Sequence, residues 1–297
     1  MNSAAVIVTY NRKSMLMNCI AKVLMQKPEA PEVIIIDNAS TDGTESYIRS
    51  LNNPQIHYYN TGENFGGAGG FAYGLEKACL LGFDYCWIMD DDTYPQEDAF
   101  QSLYVKIQEI DASYVCSRVM WTDGNVCSMN TPPTAKRGCF NNPKALNLHL
   151  MEIQGCSFVS CMVNMKYMKQ VGLPIAEFFI YGDDVEFTRR LETKSKGYLD
   201  LDSVVIHAMP NNNVASIVNC ETDRIERYRY GVRNNVYIQR HIDHASVMTV
   251  FMSMLRSVIV IIVNSKEHKL KRLKILISST WKGLFFHPVI KFVEKCV

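Results

Sequence analysis

Three consecutive carboxylates, Asp90, Asp91 and Asp92, follow the apolar segment 85–89. Adjacent carboxylates repel one another unless a cation neutralises them. Side chains two positions apart in an extended chain share one face, so Asp90 and Asp92 can hold the same ion. Oxygen ligands of this kind suit Mg²⁺ or Mn²⁺. A solvated acidic turn is the alternative interpretation, but the buried strand predicted before the run favours a metal site.

A second acidic pair, Asp183 and Asp184, lies in the aromatic-rich segment 178–187. Partial burial raises the basicity of a carboxylate, which suits a general base. The same pair also suits the N-terminus of a helix, where acidic groups complement the helix dipole. The two interpretations are compatible, and the residues alone leave both open.

Three weaker motifs accompany the acidic groups. His207 follows the strand-like residues 203–206, where a lone histidine is more often structural than a ligand. Residues 67–72 match the G-x-G-x-x-A dinucleotide pattern but follow the third predicted strand, not the first. They predict either a phosphate or sugar site at a helix N-terminus or a dinucleotide-dependent oxidoreductase. Arginines and tyrosines alternate in residues 224–235, which fits a phosphate- or sugar-binding surface or a solvated helix face.

The elements that must position these motifs alternate along the chain. Apolar β-branched runs predict strands at 5–9, 32–36, 56–59 and 85–89. Between them the pattern predicts helices at 15–26, 44–51 and 71–81. This order predicts an α/β fold with a mostly parallel sheet. Such sheets bind ligands at the carboxyl ends of their strands, where we expect the following polar segments to converge: 9–12, 37–43, 64–70 and 90–92.

Composition and charge limit the classes of protein. The chain has 297 residues, 47% of them hydrophobic, which is typical of a globular protein with a sizeable core. Its 31 basic and 30 acidic residues give a formal net charge of +1, which argues against a dedicated nucleic-acid-binding protein. Ten cysteines without C-x-x-C spacing, and no signal-peptide pattern, predict a cytoplasmic protein with reduced thiols.

The order of these motifs resembles that of family 2 glycosyltransferases with the GT-A fold. The resemblance runs from residue 4 to about residue 210, through VIVTYNR at 6–12, IIIDNASTDGT at 34–44 and WIMDDD at 87–92. It implies a Rossmann-like sheet flanked by helices in a catalytic domain of residues 1–215, followed by a helical region at 216–297. The segment NFGGAGGF at 64–71 and the later DDVEF and Y-x-x-R-N motifs are similar to the galactofuranosyltransferase and rhamnosyltransferase branch.

The resemblance also implies a role for each site residue. Asp184 would act as general base, and Asp90, Asp92 and His207 would bind Mn²⁺ or Mg²⁺. The nucleotide-sugar donor, a UDP-sugar, would contact the following residues: Thr9, Tyr10, Arg12, Asp37, Asn64, Gly67 and Asp91. The acceptor pocket would include Tyr181, Asp183, Glu186 and Arg233. Relatives often carry Trp where this chain has Tyr181-Gly182.

The implied reaction is an inverting, metal-dependent sugar transfer. It would move galactofuranose from UDP-galactofuranose to a glycan or polyprenyl-diphosphate-linked acceptor in bacterial surface polysaccharide synthesis. Transfer of rhamnose from dTDP-rhamnose is the alternative within this fold. A non-catalytic sugar-binding protein and the dinucleotide-dependent oxidoreductase are the alternatives of another class.

The C-terminal residues differ from the rest of the chain in charge. Residues 264–297 hold eight basic and two acidic residues, a net charge of +6, so the other 263 residues carry −5. Basic side chains interleaved with Trp281, Phe285 and Phe286 predict amphipathic packing on an anionic membrane surface, and contact with a second subunit is the alternative. Arg256 interrupts the apolar residues 245–263, which favours a buried or interfacial helix over a spanning one. We therefore expect peripheral association with the inner face of the cell membrane.

Overall fold

The computed structural model describes residues 2–135, 142–213 and 216–293. Its strands are β1 Ser3–Thr9, β2 Glu32–Asp37, β3 Ile56–Asn60, β4 Tyr85–Asp90, β5 Thr93–Pro95, β6 Tyr114–Trp121, β7 Leu150–Ile153, β8 Cys161–Asn164 and β9 Gly197–His207. Its helices are α1 Lys13–Leu24, α2 Thr44–Ser50, α3 Gly66–Leu80, α4 Ala99–Ile110, α5 Pro143–Asn147, α6 Met165–Val171, α7 Asp183–Leu191, α8 Tyr228–His241, α9 Val247–Asn264 and α10 Lys269–Leu284. Glu294 and Lys295, counted above in the basic tail, lie outside the described residues.

One sheet organises these elements. Its strand order is β3-β2-β1-β4-β8-β6-β9-β5, and β7 pairs with β9. The first four strands pair in parallel, as the sequence predicts. Beyond them the sheet is mixed, because β8 enters antiparallel between β4 and β6. The predicted α/β class, with a central sheet flanked by helices, is confirmed.

Both faces of the parallel half are buried, which explains the continuous apolar runs in its strands. Val6 and Val8 of β1 pack in one core with residues of α3. Ala5 and Ile7, their alternate neighbours, pack in a second core with residues of α1 and α4. The carboxyl ends of β1, β2 and β4 are therefore held in fixed positions by helices on either side of the sheet.

Helix α3 begins at Gly66, five residues before the predicted start at Phe71. A Cβ on Gly70 would lie 2.5 Å from Val8 Cγ1, and one on Gly74 would lie 2.4 Å from Val6 Cγ1. Glycine at these positions lets the helix pack directly on β1. Close packing thus stabilises helix in a segment whose low helix propensity predicts a loop.

The predicted C-terminal helical region is confirmed as α8, α9 and α10. It packs on the rest of the chain through a cluster that includes Phe178, Tyr237 and Ile238. Among the described helices, α9 is long and apolar enough to cross a bilayer, a criterion of length and composition that core helices also meet. The domain boundary at residue 215 stays a prediction, since residues 214 and 215 lie outside the described part.

Candidate active site

The three predicted metal ligands lie where β4, β5 and β9 meet. Asp90 ends β4, Asp92 precedes β5, and the pairing of β5 with β9 sets Thr93 opposite His207. One ligand atom from each of Asp90, Asp92 and His207 lies within 4.8 Å of the other two. The fold therefore brings the three predicted ligands together.

The atoms at this point fit a hard divalent cation. Asp92 Oδ1 is buried without a hydrogen-bond partner among the described residues and lies 3.1 Å from His207 Nε2. The other ring nitrogen of His207, Nδ1, lies 2.9 Å from Asn130 Oδ1, while Asn130 Nδ2 donates to Ser157 Oγ. The amide oxygen can only accept, so Nδ1 donates to it, and Nε2 is the ring nitrogen that faces Asp92 and would bind a metal. No sequence motif pointed to Asn130, which only the fold brings to His207.

The three aspartates differ in charge balance. Burial, followed by repulsion from Asp92, raises the pKa of Asp90 to about 7. Burial raises the pKa of Asp91 to about 6, although Arg12 opposes the change. Burial also disfavours the charged form of Asp92, but His207 and Arg12 together outweigh it, and the pKa of Asp92 is lowered. The cluster thus carries more negative charge than its neighbours balance, which favours binding of an added cation.

Arg12 forms the cationic side of this cluster. Its Nη1 donates to Asp91 Oδ1 at 3.1 Å and to Asp92 Oδ2 at 2.6 Å. Thr9 Oγ1 donates to Asp91 Oδ2 at 2.7 Å. Three predicted donor-binding residues, Thr9, Arg12 and Asp91, therefore lie in one network with the metal ligands. The Arg12 side chain is 45% exposed, so it can also meet an anionic ligand.

Asp37 and Tyr10, two further predicted donor residues, lie at the ends of β2 and β1. Asp37 is buried and accepts hydrogen bonds from Tyr58 Oη at 2.7 Å and from Ser40 N at 2.8 Å. Tyr10 is exposed one residue beyond β1. The structure thus places both at the predicted carboxyl edge of the sheet, with Asp37 fixed in orientation by its neighbours.

The start of α3 completes this edge. Asn64 Oδ1 accepts a hydrogen bond from Gly66 N at 2.8 Å, and a Cβ on Gly67 would face open space. Asn38, which the sequence did not single out, donates from Nδ2 to Gly66 O at 3.0 Å. Its Oδ1 is buried and has no hydrogen-bond partner among the described residues. The signal for Asn38 was its place beside Asp37 in the polar segment after β2.

The second acidic pair begins α7. Gly182, with φ of +84°, precedes Asp183, and Val185 N donates to Asp184 Oδ1 at 2.8 Å. Asp184 lines a cavity, and the surrounding protein raises its pKa to about 6. Burial, followed by the charge of Asp184, raises the pKa of Asp183 well above its usual value. The pair therefore occupies a helix N-terminus, and the raised pKa of Asp184 is consistent with the predicted general base.

The loop before α7 has an uncommon backbone conformation. Phe179 and Tyr181 have φ of +63° and +67°, which costs a residue with a side chain about 1–3 kcal/mol. Asn234 of α8, fully buried, donates from Nδ2 to the carbonyl oxygens of Phe178, Ile180 and Tyr181 at 3.0, 3.1 and 2.8 Å. Asn234 therefore fixes the loop that positions Asp184. In the sequence, Asn234 stands out only as part of the Y-x-x-R-N motif.

Aromatic and glycine contacts join this loop to the donor edge. The Tyr181 ring stacks on Tyr228 with centroids 5.2 Å apart. The carbonyl oxygen of Phe179 accepts a hydrogen bond from Ala68 N, and a Cβ on Gly66 would lie 2.1 Å from that oxygen. Glycine at position 66 thus allows the start of α3 to contact the loop before Asp184.

Two predicted acceptor residues lie in structural contacts. Glu186 is buried and accepts hydrogen bonds from Arg190 at 2.8 and 2.9 Å. Arg233 donates to Glu177 O at 2.6 Å, and its guanidinium carbon lies 3.9 Å from the centre of the Phe286 ring. Neither side chain is among those that line the cavity, and the geometry gives both a supporting role behind its wall.

A cavity of about 740 Å³ connects the two acidic groups. The metal cluster, Arg12, Tyr181 and Asp184 all line it, as do polar side chains of the C-terminal helices: Asn235, Gln239, Ser253, Ser257 and Thr280. Its volume is within the range of small-molecule sites. The C-terminal helices therefore form part of the cavity wall. The alternating Arg and Tyr pattern of residues 224–235 pointed to α8 as a ligand surface, whereas no motif pointed to α9 or α10.

The chain matches a family model described as glycosyl transferase family 2 over residues 4–172, a range that includes Asp90 and Asp92. The chain belongs to this family. Galactofuranosyltransferase GlfT1 of Mycolicibacterium smegmatis is 26% identical over 200 residues, which cover 63% of this chain and 64% of GlfT1. The match thus spans just under two thirds of that relative.

Two solved structures share the fold of this chain. S. aureus TarS 1–349 in complex with UDP has a TM-score of 0.55 at 13% identity and covers 96% of this chain and 72% of its own. GalNAc-T7 with UDP, GalNAc and Mn²⁺ has a TM-score of 0.57 at 14% identity and covers 84% and 53%. These likenesses confirm the GT-A fold predicted for the family 2 chain.

Proposed function

We propose that this chain is an inverting, metal-dependent glycosyltransferase that moves galactofuranose from UDP-galactofuranose to a glycan or lipid-linked acceptor in surface polysaccharide synthesis. The observation that carries the proposal is a single cavity lined by two acidic groups of different character. Asp90, Asp92 and His207 lie close enough together to hold a cation, and Asp184, apart from them, is a carboxylate with a raised pKa. A cation would stabilise the leaving diphosphate, and a base would accept the proton of the acceptor hydroxyl.

The donor end would be bound by residues at the carboxyl edge of β1, β2 and α3. A divalent cation held by Asp90, Asp92 and His207 would supply positive charge to the donor diphosphate. Arg12, already between Asp91 and Asp92, adds a fixed positive charge beside it. Nucleotide-sugar donors of this kind are supported by the UDP named with the TarS and GalNAc-T7 structures.

The acceptor end would be activated by Asp184. In a single displacement, the acceptor oxygen bonds to the anomeric carbon while the bond from that carbon to the diphosphate breaks. Attack from the opposite face inverts the configuration, and the hydroxyl proton moves to Asp184. One base is sufficient because UDP leaves as a stable anion, whereas glycoside hydrolysis needs a second carboxyl group as acid.

The choice of galactofuranose rests on the similarity to GlfT1, whose name states that sugar. The purified chain should therefore be incubated with one donor at a time: UDP-galactofuranose, UDP-galactopyranose and dTDP-rhamnose, each with Mn²⁺ and a soluble synthetic acceptor. We expect mass spectrometry to show addition of a hexose from UDP-galactofuranose. EDTA should abolish the product, and excess Mn²⁺ should restore it.

The other outcomes each contradict one part of the proposal. Addition of a deoxyhexose from dTDP-rhamnose would show that the donor sugar is rhamnose and not galactofuranose. Product formation that EDTA does not affect would contradict the proposed dependence on a metal ion. Donor binding without product or donor hydrolysis would favour a sugar-binding protein, and nicotinamide dinucleotide binding without nucleotide-sugar binding would favour the oxidoreductase.

A further inference from the structure

Helix α9 has two faces with different surroundings. Met254, Val258 and Ile261, spaced three to four residues apart, pack in a cluster with residues of α10. Ser253 and Ser257 line the cavity. One face of α9 is thus built into the protein, as the periodicity of a helix allows.

The other face of α9 is apolar and exposed. It consists of Val247, Met248, Phe251, Met252, Leu255, Ile259, Val260, Ile262 and Val263. Met248, Ile259 and Val263 each expose more than 60% of their surface. Helix α10 adds Leu270, Ile277 and Trp281, and Phe285 follows directly after it. We call these side chains the apolar surface; continuous exposed areas of this kind mark contact sites.

The charges around the apolar surface are mostly positive, since Glu267, between the two helices, is the one acidic residue in segment 247–284. Neither α9 nor α10 contains Asp or Glu. Five exposed cations on or between the two helices have no ion-pair partner among the described residues: Arg256, Lys266, Lys269, Lys274 and Lys282. Arg256 follows Leu255, and Lys282 follows Trp281, so cations stand beside exposed apolar side chains. The surface is therefore complementary to one that is both apolar and anionic.

We propose that the apolar surface binds an anionic lipid bilayer, with α9 lying in the plane of the membrane interface. Its apolar side chains would enter the acyl region, and the unpaired cations would meet lipid phosphates. A spanning α9 conflicts with the packing of Met254, Val258 and Ile261 inside the protein. In a symmetric dimer on this face, the cations of one copy would lie opposite the same cations of the other. Their repulsion disfavours such a dimer.

Membrane contact at α9 has a consequence for the cavity. A helix with its side chains is about 10 Å across, and the inner face of α9 lines the cavity. The bilayer would therefore lie about one helix diameter from the space into which Asp184 faces. If this space holds the acceptor, which rests on the proposed function, an acceptor anchored in the bilayer can reach Asp184.

Vesicle flotation of the full chain tests the proposal. Wild-type protein should float with vesicles of phosphatidylcholine and phosphatidylglycerol and much less with phosphatidylcholine alone. Double substitution Phe251→Asp and Ile259→Asp should abolish flotation. The matched control, Leu80→Asp with Leu81→Asp at the exposed end of α3, should float like wild type. Lys274→Gln and Lys282→Gln should each weaken binding to the anionic vesicles about fivefold.

Catalytic assays separate this inference from the proposed function. Turnover of a soluble acceptor should be unchanged in the Phe251 and Ile259 variant. Wild-type protein that ignores anionic vesicles, or that resists extraction by alkaline carbonate as a spanning protein does, would overturn the interfacial placement. A dimer in solution that the same variant dissociates would assign the surface to a second copy. Vesicle binding without any transferase activity would overturn the proposed function alone.

Discussion

The two acidic groups of the cavity differ in the charges that surround them. Asp92 lies beside Arg12 and His207, and its pKa is lowered. Asp184 has no basic side chain within ion-pair distance among the described residues, and its pKa is raised to about 6. Carboxylates in different surroundings can thus serve different roles in one site. Asp92 is suited to hold a cation, and Asp184 is suited to accept a proton.

The two groups also differ in how the chain positions them. Asp90, Asp92 and His207 stand at strand ends, where sheet register fixes their spacing. Asp184 follows a loop held by Asn234 from a distant helix. The cation site therefore depends on the sheet, whereas the base depends on packing between the sheet domain and the C-terminal helices.

The largest expected effect separates the two acidic groups by their roles. Asp184→Asn removes the proton acceptor and should lower kcat by about 10²–10⁴. Binding of UDP with Mn²⁺ should stay close to wild type, because Asp184 is not among the cation ligands. Steady-state kinetics and isothermal titration calorimetry of both proteins check the two halves of this expectation.

Asp92→Asn is the matched variant at the predicted cation site. It should weaken Mn²⁺-dependent UDP binding, which Asp184→Asn leaves intact. Near-normal turnover in Asp184→Asn, or an equal loss of UDP binding in both variants, would show that the two groups do not divide the work as proposed.

Local sequence patterns predicted much of the cation site and the parallel half of the sheet. The run ending in Asp90, Asp91 and Asp92 follows a strand whose apolar pattern is clear, so its place at a sheet edge follows from the order of elements. The residues alone did not predict His207 as a metal ligand, and only the family resemblance implied that role. Its partner in the β5–β9 register lies more than 100 residues earlier in the chain.

Other parts of the site depend on contacts between distant segments. Asn234 bonds to carbonyl groups 53 to 56 positions away, and no local pattern encodes such a contact. The early start of α3 depends on its close approach to β1. The apolar pattern of α9 fits a buried and an exposed helix equally well, so its exposed face became evident only from packing.

A smaller effect is expected from a substitution that weakens the loop before Asp184 and leaves Asp184 itself in place. Asn234→Ala removes three hydrogen bonds from the loop at residues 178–181 and leaves carbonyl oxygens unsatisfied, at a cost of about 1–3 kcal/mol. The loop would then relax from its strained backbone, and kcat should fall about tenfold through misplacement of Asp184. Kinetics with saturating donor, UDP titration and thermal denaturation measure the three consequences.

The control for Asn234→Ala is Gln170→Ala, which removes an exposed amide on α6 whose one hydrogen bond among the described residues is to Lys166 O. It should match wild type in all three measurements. A fall in melting temperature with unchanged kcat would make Asn234 merely structural. Equal losses in kcat and UDP affinity would show that the loop does not act on the acceptor side alone.

The smallest effect concerns the pH at which the base works. Because Asp184 must be deprotonated and its pKa is about 6, kcat should be halved near pH 6 and fall tenfold per unit below it. Saturating donor and Mn²⁺ keep the cation site occupied, and UDP titration at each pH checks that it is. The raised pKa of Asp184 comes from burial. Asn234→Ala should therefore shift the fall in kcat at acidic pH to lower pH, because the loop opens and Asp184 becomes more exposed. If kcat falls at the same pH in that variant as in wild type, or falls in parallel with UDP binding, the group that titrates is not Asp184.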